Sequence, residues 1–212
     1  MRRRTLIFSL LTATTLPLVG EEQFPTVDRQ VTFGWLTSDV ETGFHVGIDE
    51  NTARSGNKSA IVRAKKPNPE LHNTIFQAIR ADGYRGKRIR VSGYLKTESA
   101  DVGWLWVRVD SADGTLCMDN MQNRPARGTT DWTRYDLIID IPDDALGFSY
   151  GLGLTGNGAA WADDFSVEIV DRSVATTNNV GTTLLAHDSL RARFRKRYVI
   201  ASTAPLNSGL EE

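Results

Sequence analysis

Across residues 31–170 apolar and polar side chains alternate in short runs broken by Gly, Asn, Asp and Pro, and no stretch keeps a helical period over three turns. Period-two alternation is what a strand with one buried face requires, because successive side chains leave the pleat on opposite sides. The pattern predicts strands over 59–64, 75–81, 87–97, 103–110, 133–141, 148–154 and 161–170. Arg54-Ser55-Gly56-Asn57, Pro67-Asn68-Pro69, Asp82-Gly83, Asp113-Gly114, Pro142-Asp143-Asp144 and Thr155-Gly156-Asn157-Gly158 supply turn chemistry between them. Short strands at this spacing predict an all-β, two-sheet antiparallel sandwich of about eight or more strands over 31–170. The longest gap, 116–131, reads as a loop of the length that carries function.

The flanks differ from this body. Arg2-Arg3-Arg4 followed by a mostly apolar stretch over 6–19 has the layout of an export signal, so residues 1–20 are expected to direct the protein to the periplasm or beyond. At 14 residues the stretch is short of the roughly 20 that cross a bilayer, so no stable membrane span is expected. The arginines suit a twin-arginine route and the ordinary one alike. Residues 171–212 read as a polar tail with a basic run at 191–197, a run that usually forms a solvated face.

Charge and cysteine content exclude several functions. The 212 residues carry 25 Lys and Arg against 26 Asp and Glu, a net charge of -1, so no global field favours nucleic acid. Cys117 is the one cysteine, which rules out an internal disulfide, a four-Cys zinc site and a CxxC redox pair. His45, His72 and His187 are scattered without a zinc-binding spacing.

Gly147-Phe148-Ser149-Tyr150-Gly151 matches G-x-S-x-G, with Asp163 or Asp164 and then His187 following in hydrolase order. A nucleophile elbow needs strand, sharp turn and helix, whereas Phe148, Tyr150, Leu152 and Leu154 alternate along one strand. Paired carboxylates among Asp110, Asp119, Asp140, Asp143, Asp144, Asp163 and Asp164 keep a glycoside hydrolase as an alternative, set by a separation that sequence does not give. The competing reading places Asp163-Asp164 where a carboxylate fixes loop backbone, directly or through calcium.

The strongest constellation is Trp104, Trp106, Arg108 and Asp110 on one strand face, opposite Leu105, Val107 and Val109. Arg90, Ser92, Tyr94 and Lys96 stand likewise opposite Ile89, Val91 and Leu95. Were both strands in one sheet, their outer face would set aromatic plates beside charged hydrogen-bonding groups, as sugar recognition requires. The competing reading covers the tryptophans with the 116–131 loop and uses Arg108 and Asp110 to hold Asn120 or Arg124.

Gly34-Trp35, Gly47-Ile48-Asp49, Ser55-Gly56-x-x-Ser59-Ala60, Tyr84-Arg85-Gly86-Lys87-Arg88, Ser92-Gly93-Tyr94-Leu95-Lys96-Thr97, Asp119-Asn120-Met121, Arg124-Pro125, Gly128-Thr129-Thr130-Asp131-Trp132 and Trp161-x-Asp163-Asp164 occur in an order that resembles one module type. It is the galactose-binding-like jelly roll found ahead of the catalytic region in secreted bacterial serine peptidases of the tail-processing type and in proteins labelled transcriptional regulators. More distantly it is similar to carbohydrate-binding modules, which share the Ser-Gly turn and the closing Asp-Asp and often hold structural calcium there. The resemblance covers about 33–170. It implies a jelly roll without catalytic residues, in which Trp106, Arg108 and Asp110 match the module's Leu-Trp-x-Arg-Val-Asp run, while Trp104 stands where a small residue is expected. Residues 204–212 faintly resemble an interdomain linker.

These readings converge on an exported, non-catalytic module for a carbohydrate or another cell-envelope ligand. Its expected contacts are Trp106, Arg108, Asp110, Tyr94, Trp104, Arg90, Asn120 and Arg124. The alternatives are a structural or protein-interaction module of a peptidase-type protein, and the carboxylate-dependent hydrolase.

Overall fold

The computed structural model describes residues 29–32, 34–37, 43–66, 68–177 and 202–211; the expected export signal and the basic run at 191–197 lie outside the described residues. The elements are β1 (Arg29–Thr32), β2 (Trp35–Thr37), β3 (Phe44–Asp49), β4 (Ser59–Ala64), β5 (His72–Arg80), β6 (Arg88–Ser111), β7 (Gly114–Asp119), β8 (Ala126–Asp140), β9 (Gly147–Thr155) and β10 (Ala159–Val170). All pairings between them are antiparallel. The expected all-β jelly roll is the fold of this chain.

Its organising element is β6, a single strand of 24 residues that replaces the two strands expected over 87–97 and 103–110. Extended without a bend it would run about 80 Å, so it must turn a corner. The turn falls where its register with β8 shifts between Leu95 and Gly103 and where Ser99 takes a φ of +49°. Such bulges sharpen the twist and let one strand pass from sheet to sheet. The first half of β6 lies between β10 and β8, in a sheet ordered β3-β4-β10-β6-β8. The second half lies between β9 and β7, in a sheet ordered β1-β2-β5-β9-β6-β7.

Odd-numbered residues of both halves face the shared interior. Ile89, Val91, Leu95, Leu105, Val107 and Val109 are all buried there with Phe148, Tyr150, Leu152 and Leu154 from β9. Across the core, a side chain at Gly93 would press on Phe165 and come within 3.3 Å of Leu105 Cδ1, so the two halves of β6 face one another. Trp35, Tyr150 and Phe165 interlock between the sheets, with centroids 5.2–6.0 Å apart.

Two expectations are corrected here. The gap at 116–131 is a loop only over 120–125; the rest belongs to β7 and β8. Nor are the described parts of 171–212 a free tail. Thr177 N donates to Ile138 O at 2.9 Å, and Arg88 donates to the carbonyls of Arg172 and Val174. Residues 202–211 close one end of the sandwich: Trp35 Nε1 donates to Asn207 O at 2.9 Å, Leu206 N donates to Gln77 Oε1 at 3.1 Å, and Leu210 is fully buried.

Candidate functional site

Because β6 bends, its even-numbered residues point to opposite outsides of the sandwich. Trp104, Trp106, Arg108 and Asp110 occupy the outer face of the second sheet, while Arg90, Ser92, Tyr94 and Lys96 occupy that of the first. The single composite face expected from the sequence does not form. Arg54 lays its guanidinium 3.7 Å from the centre of the Tyr94 ring, and Arg90 lies between Asp136 and Glu168 at 3.6 and 3.4 Å. These residues belong to a charged lattice over the first sheet.

The second sheet's outer face is built on glycine. Along β9, Phe148, Tyr150, Leu152 and Leu154 turn inward, leaving Gly147, Ser149, Gly151 and Gly153 outward. Trp104 pairs with Gly153, and its indole fills the space that a side chain there would need. Trp106 pairs with Gly151, beside Phe76 of β5, their ring centroids 5.6 Å apart. Gly151 sits so close to the β5 backbone at Ile75 and Phe76 that no Cβ fits.

The tryptophans differ in exposure. Trp104 is half-buried, with His72 6.5 Å away, whereas Trp106 keeps only 6% of its surface exposed. The open plate expected at Trp106 is therefore a floor, and Trp104 is the accessible ring. Arg108 is also buried; its Nε donates to Asp110 Oδ2 at 2.9 Å, and Asp110 Oδ1 accepts from Thr115 Oγ1 at 2.8 Å. This arrangement fixes the acid between a guanidinium and a hydroxyl.

Asn120 and Arg124 separate in role. Arg124 pairs with the buried Asp119 at 2.7 Å, and Asp119 also accepts from Thr177 Oγ1 and from Met121 N, closing the seam between β7 and β8. Asn120 follows Asp119, whose partner across the strands is Val107, so Trp106 and Asn120 each lie one position beyond that pair. Among the described residues, two buried polar atoms here have no hydrogen-bond partner: the Nε1–H donor of Trp106 and the Oδ1 acceptor of Asn120. Such groups are costly to leave unmet.

Asp163 and Asp164 fix a loop directly. Asp163, fully buried, accepts from Arg54 N, Ser55 N and Asp164 N, and Asp164 takes the Arg54 guanidinium and the Ser55 hydroxyl. Burial pushes the Asp163 carboxyl up, against the pull of those N–H groups. A carboxylate ringed by N–H donors does not fit the calcium that the resemblance admits there, and among the described residues no group of three or more His, Cys, Asp or Glu gathers to hold a metal. Ser149 lies inside β9 and is buried, so G-x-S-x-G forms no elbow. The residues sequence reasoning missed are Phe76, Gly151 and Gly153. Their signal was present: outward glycine at alternate positions of a strand marks a surface on which another side chain lies down.

No protein-family model matches the chain. The fold is that of carbohydrate-binding modules: the chain is similar to the CBM22-1 xylan-binding domain from Paenibacillus barcinonensis Xyn10C, with a TM-score of 0.50, 19% sequence identity, and coverage of 68% of this chain and 90% of that domain. In sequence it is similar to a protein of Bacillus subtilis (strain 168) named as an uncharacterized HTH-type transcriptional regulator, YbfP. The two are 38% identical over 149 residues, which cover 68% of this chain and 50% of that protein. The chain thus spans about half the length of the curated relative it matches.

Proposed function

We propose that the chain is an exported, non-catalytic module that binds carbohydrate on the outer face of its second sheet. The observation that carries this reading is the half-exposed ring of Trp104, laid over Gly153 on the same outer face as the fixed carboxylate of Asp110. A sugar hydroxyl donates and accepts at once, and the C–H face of its ring packs on an indole, so a carbohydrate suits an aromatic plate on a face that carries charged hydrogen-bonding groups. Asp110 adds a fixed acceptor at the edge. The carboxylates there are already engaged by Arg108, Thr115 and Arg124, which supports binding rather than hydrolysis.

The test is affinity electrophoresis of the purified protein in soluble xylan, the polymer bound by the structural neighbour, alongside galactan, glucan and arabinan. Retardation by at least one polymer without release of reducing ends is expected, and it should vanish in Trp104→Ala. Cleavage, or indifference to every polymer, would sink the reading. Export is tested separately by fractionation and by sequencing the mature N-terminus. A second reading rests on the likeness to half of a regulator-named protein: the module presents its ligand state to attached domains, and a pull-down from the native envelope would recover a protein partner instead of glycan.

A further inference from the structure

The outer face of the first sheet holds a second aromatic strip. Gly47, Ile61, Trp161 and Lys96 follow one another in register across β3, β4, β10 and β6, and Trp132 packs against the Ile61 and Trp161 cluster. At the β3 end of this strip lies a cleft of about 370 Å³, floored by Ile61 and rimmed by His45, Asp49, Glu50, Asn51 and Arg63.

Its polar groups are arranged rather than scattered. Asp49 Oδ2 accepts from Trp161 Nε1 at 2.7 Å and Oδ1 accepts from Asn51 N at 2.8 Å, so the carboxylate is held in place. Burial alone would raise its proton affinity; donors from Trp161, Asn51 and Thr52 outweigh that and keep it below the ordinary carboxylate value. Arg63 is exposed, with its guanidinium carbon 5.3 Å from the centre of the Trp161 ring, and it forms no ion pair among the described residues, which leaves its forked N–H donors to the cleft. One guanidinium faces two carboxylates and an imidazole, so a strongly anionic ligand gains little. A small apolar floor beneath mixed donors and acceptors suits a polyol. The volume lies at the low end of the roughly 300–1,000 Å³ typical of ligand pockets, enough for a ring or two and not for a long segment.

We propose that this cleft is a second carbohydrate subsite, on the side of the sandwich opposite Trp104, taking the neutral end of a sugar chain through Arg63 and Glu50 over Ile61. It is independent of the first site, and its test reads the two apart. In the ¹⁵N-labelled full chain, Trp161 and Trp104 give separate indole N–H resonances, to be followed while xylose, glucose, galactose, xylobiose and cellobiose are titrated in. The Trp161 resonance should move saturably with at least one of them. Arg63→Ala, at an exposed position, and Glu50→Gln should each weaken that response about tenfold, as loss of a charged hydrogen bond does, while Trp104→Ala leaves it intact. A Trp161 resonance unmoved by every sugar overturns the proposal whatever Trp104 does. So does a response that survives both Arg63→Ala and Glu50→Gln, or one that disappears with Trp104→Ala.

Discussion

The indole of Trp104 lies where a side chain at its strand partner Gly153 would have to stand. The ring's position is therefore written into β9 as much as into β6. Gly153→Ala should lift or turn the indole, with an overpacking cost of about 1–3 kcal/mol. The expected outcome is a folded protein with altered tryptophan fluorescence and lost retardation in polysaccharide gels. Unchanged retardation would show that Trp104 is not the plate.

Trp106 answers to a different test. With 6% of its surface exposed and Phe76 beside it, truncation to alanine should cost about 3–5 kcal/mol, seen as a large drop in urea midpoint. Trp106→Phe keeps most of the packing and deletes the unpartnered N–H. It should hold the fold and leave polysaccharide retardation unchanged, as expected of a floor that packs beneath the site without touching the ligand.

Much of this fold was legible in the alternation. Strand β4 falls where 59–64 was expected, and the inward and outward sets on both halves of β6 follow the sequence pattern. The corner was not legible, because the alternation breaks between the strands expected over 87–97 and 103–110 and only the pairings with β8, β9 and β10 reveal one continuous strand. That single fact moved Tyr94 and Arg90 away from Trp104. Strand β7 and the start of β8 also escaped, since strands paired on one side need little alternation and Arg127, Thr129 and Asp131 are exposed. The packing of 202–211 rests on two leucines in a polar stretch, a signal too sparse to separate from linker.

Acid should loosen the contact between β6 and the segment at 171–174. Arg88 Nε donates to Asp140 Oδ1 at 2.8 Å and its other nitrogens reach Asp140 Oδ2 and the carbonyls of Arg172 and Val174. The guanidinium holds the Asp140 carboxyl below its ordinary value of 3.8, despite some burial. A folded-state value depressed in this way adds stability above the unfolded value, and that stability is lost as pH falls through the folded value. Urea midpoints taken from about pH 6 to about pH 2.5 should show wild type ahead of Asp140→Asn at the upper end and level with it at the lower. A gap that persists in acid would mean that the charge is not its source.

Cys117 should be inert while the fold lasts. It is buried, and burial first, with Asp140 and Asp110 adding to it, pushes its thiol up to about 12. The thiolate, which is the nucleophile, is then scarce at neutral pH. Iodoacetamide should leave the native protein unlabelled for hours and modify the same residue fully in denaturant. Rapid native labelling would contradict the packing of β7 against Asp140.

The end of the sandwich closed by residues 202–211 offers the last test. Leu210 is fully buried in the main core, and next to it Glu211 Oε1 accepts from Asn57 N at 2.9 Å and Lys58 N at 3.2 Å, tying the turn before β4 to this segment. The two residues are not equivalent. Deleting most of a buried leucine side chain leaves a cavity and costs about 2–5 kcal/mol, while a capping carboxylate on exposed backbone is worth about 1 kcal/mol or less. Leu210→Ala should therefore lower the urea midpoint clearly and Glu211→Gln only slightly. If Leu210→Ala leaves the midpoint unchanged, the segment does not pack as part of the core, and residues 202–211 return to the linker reading.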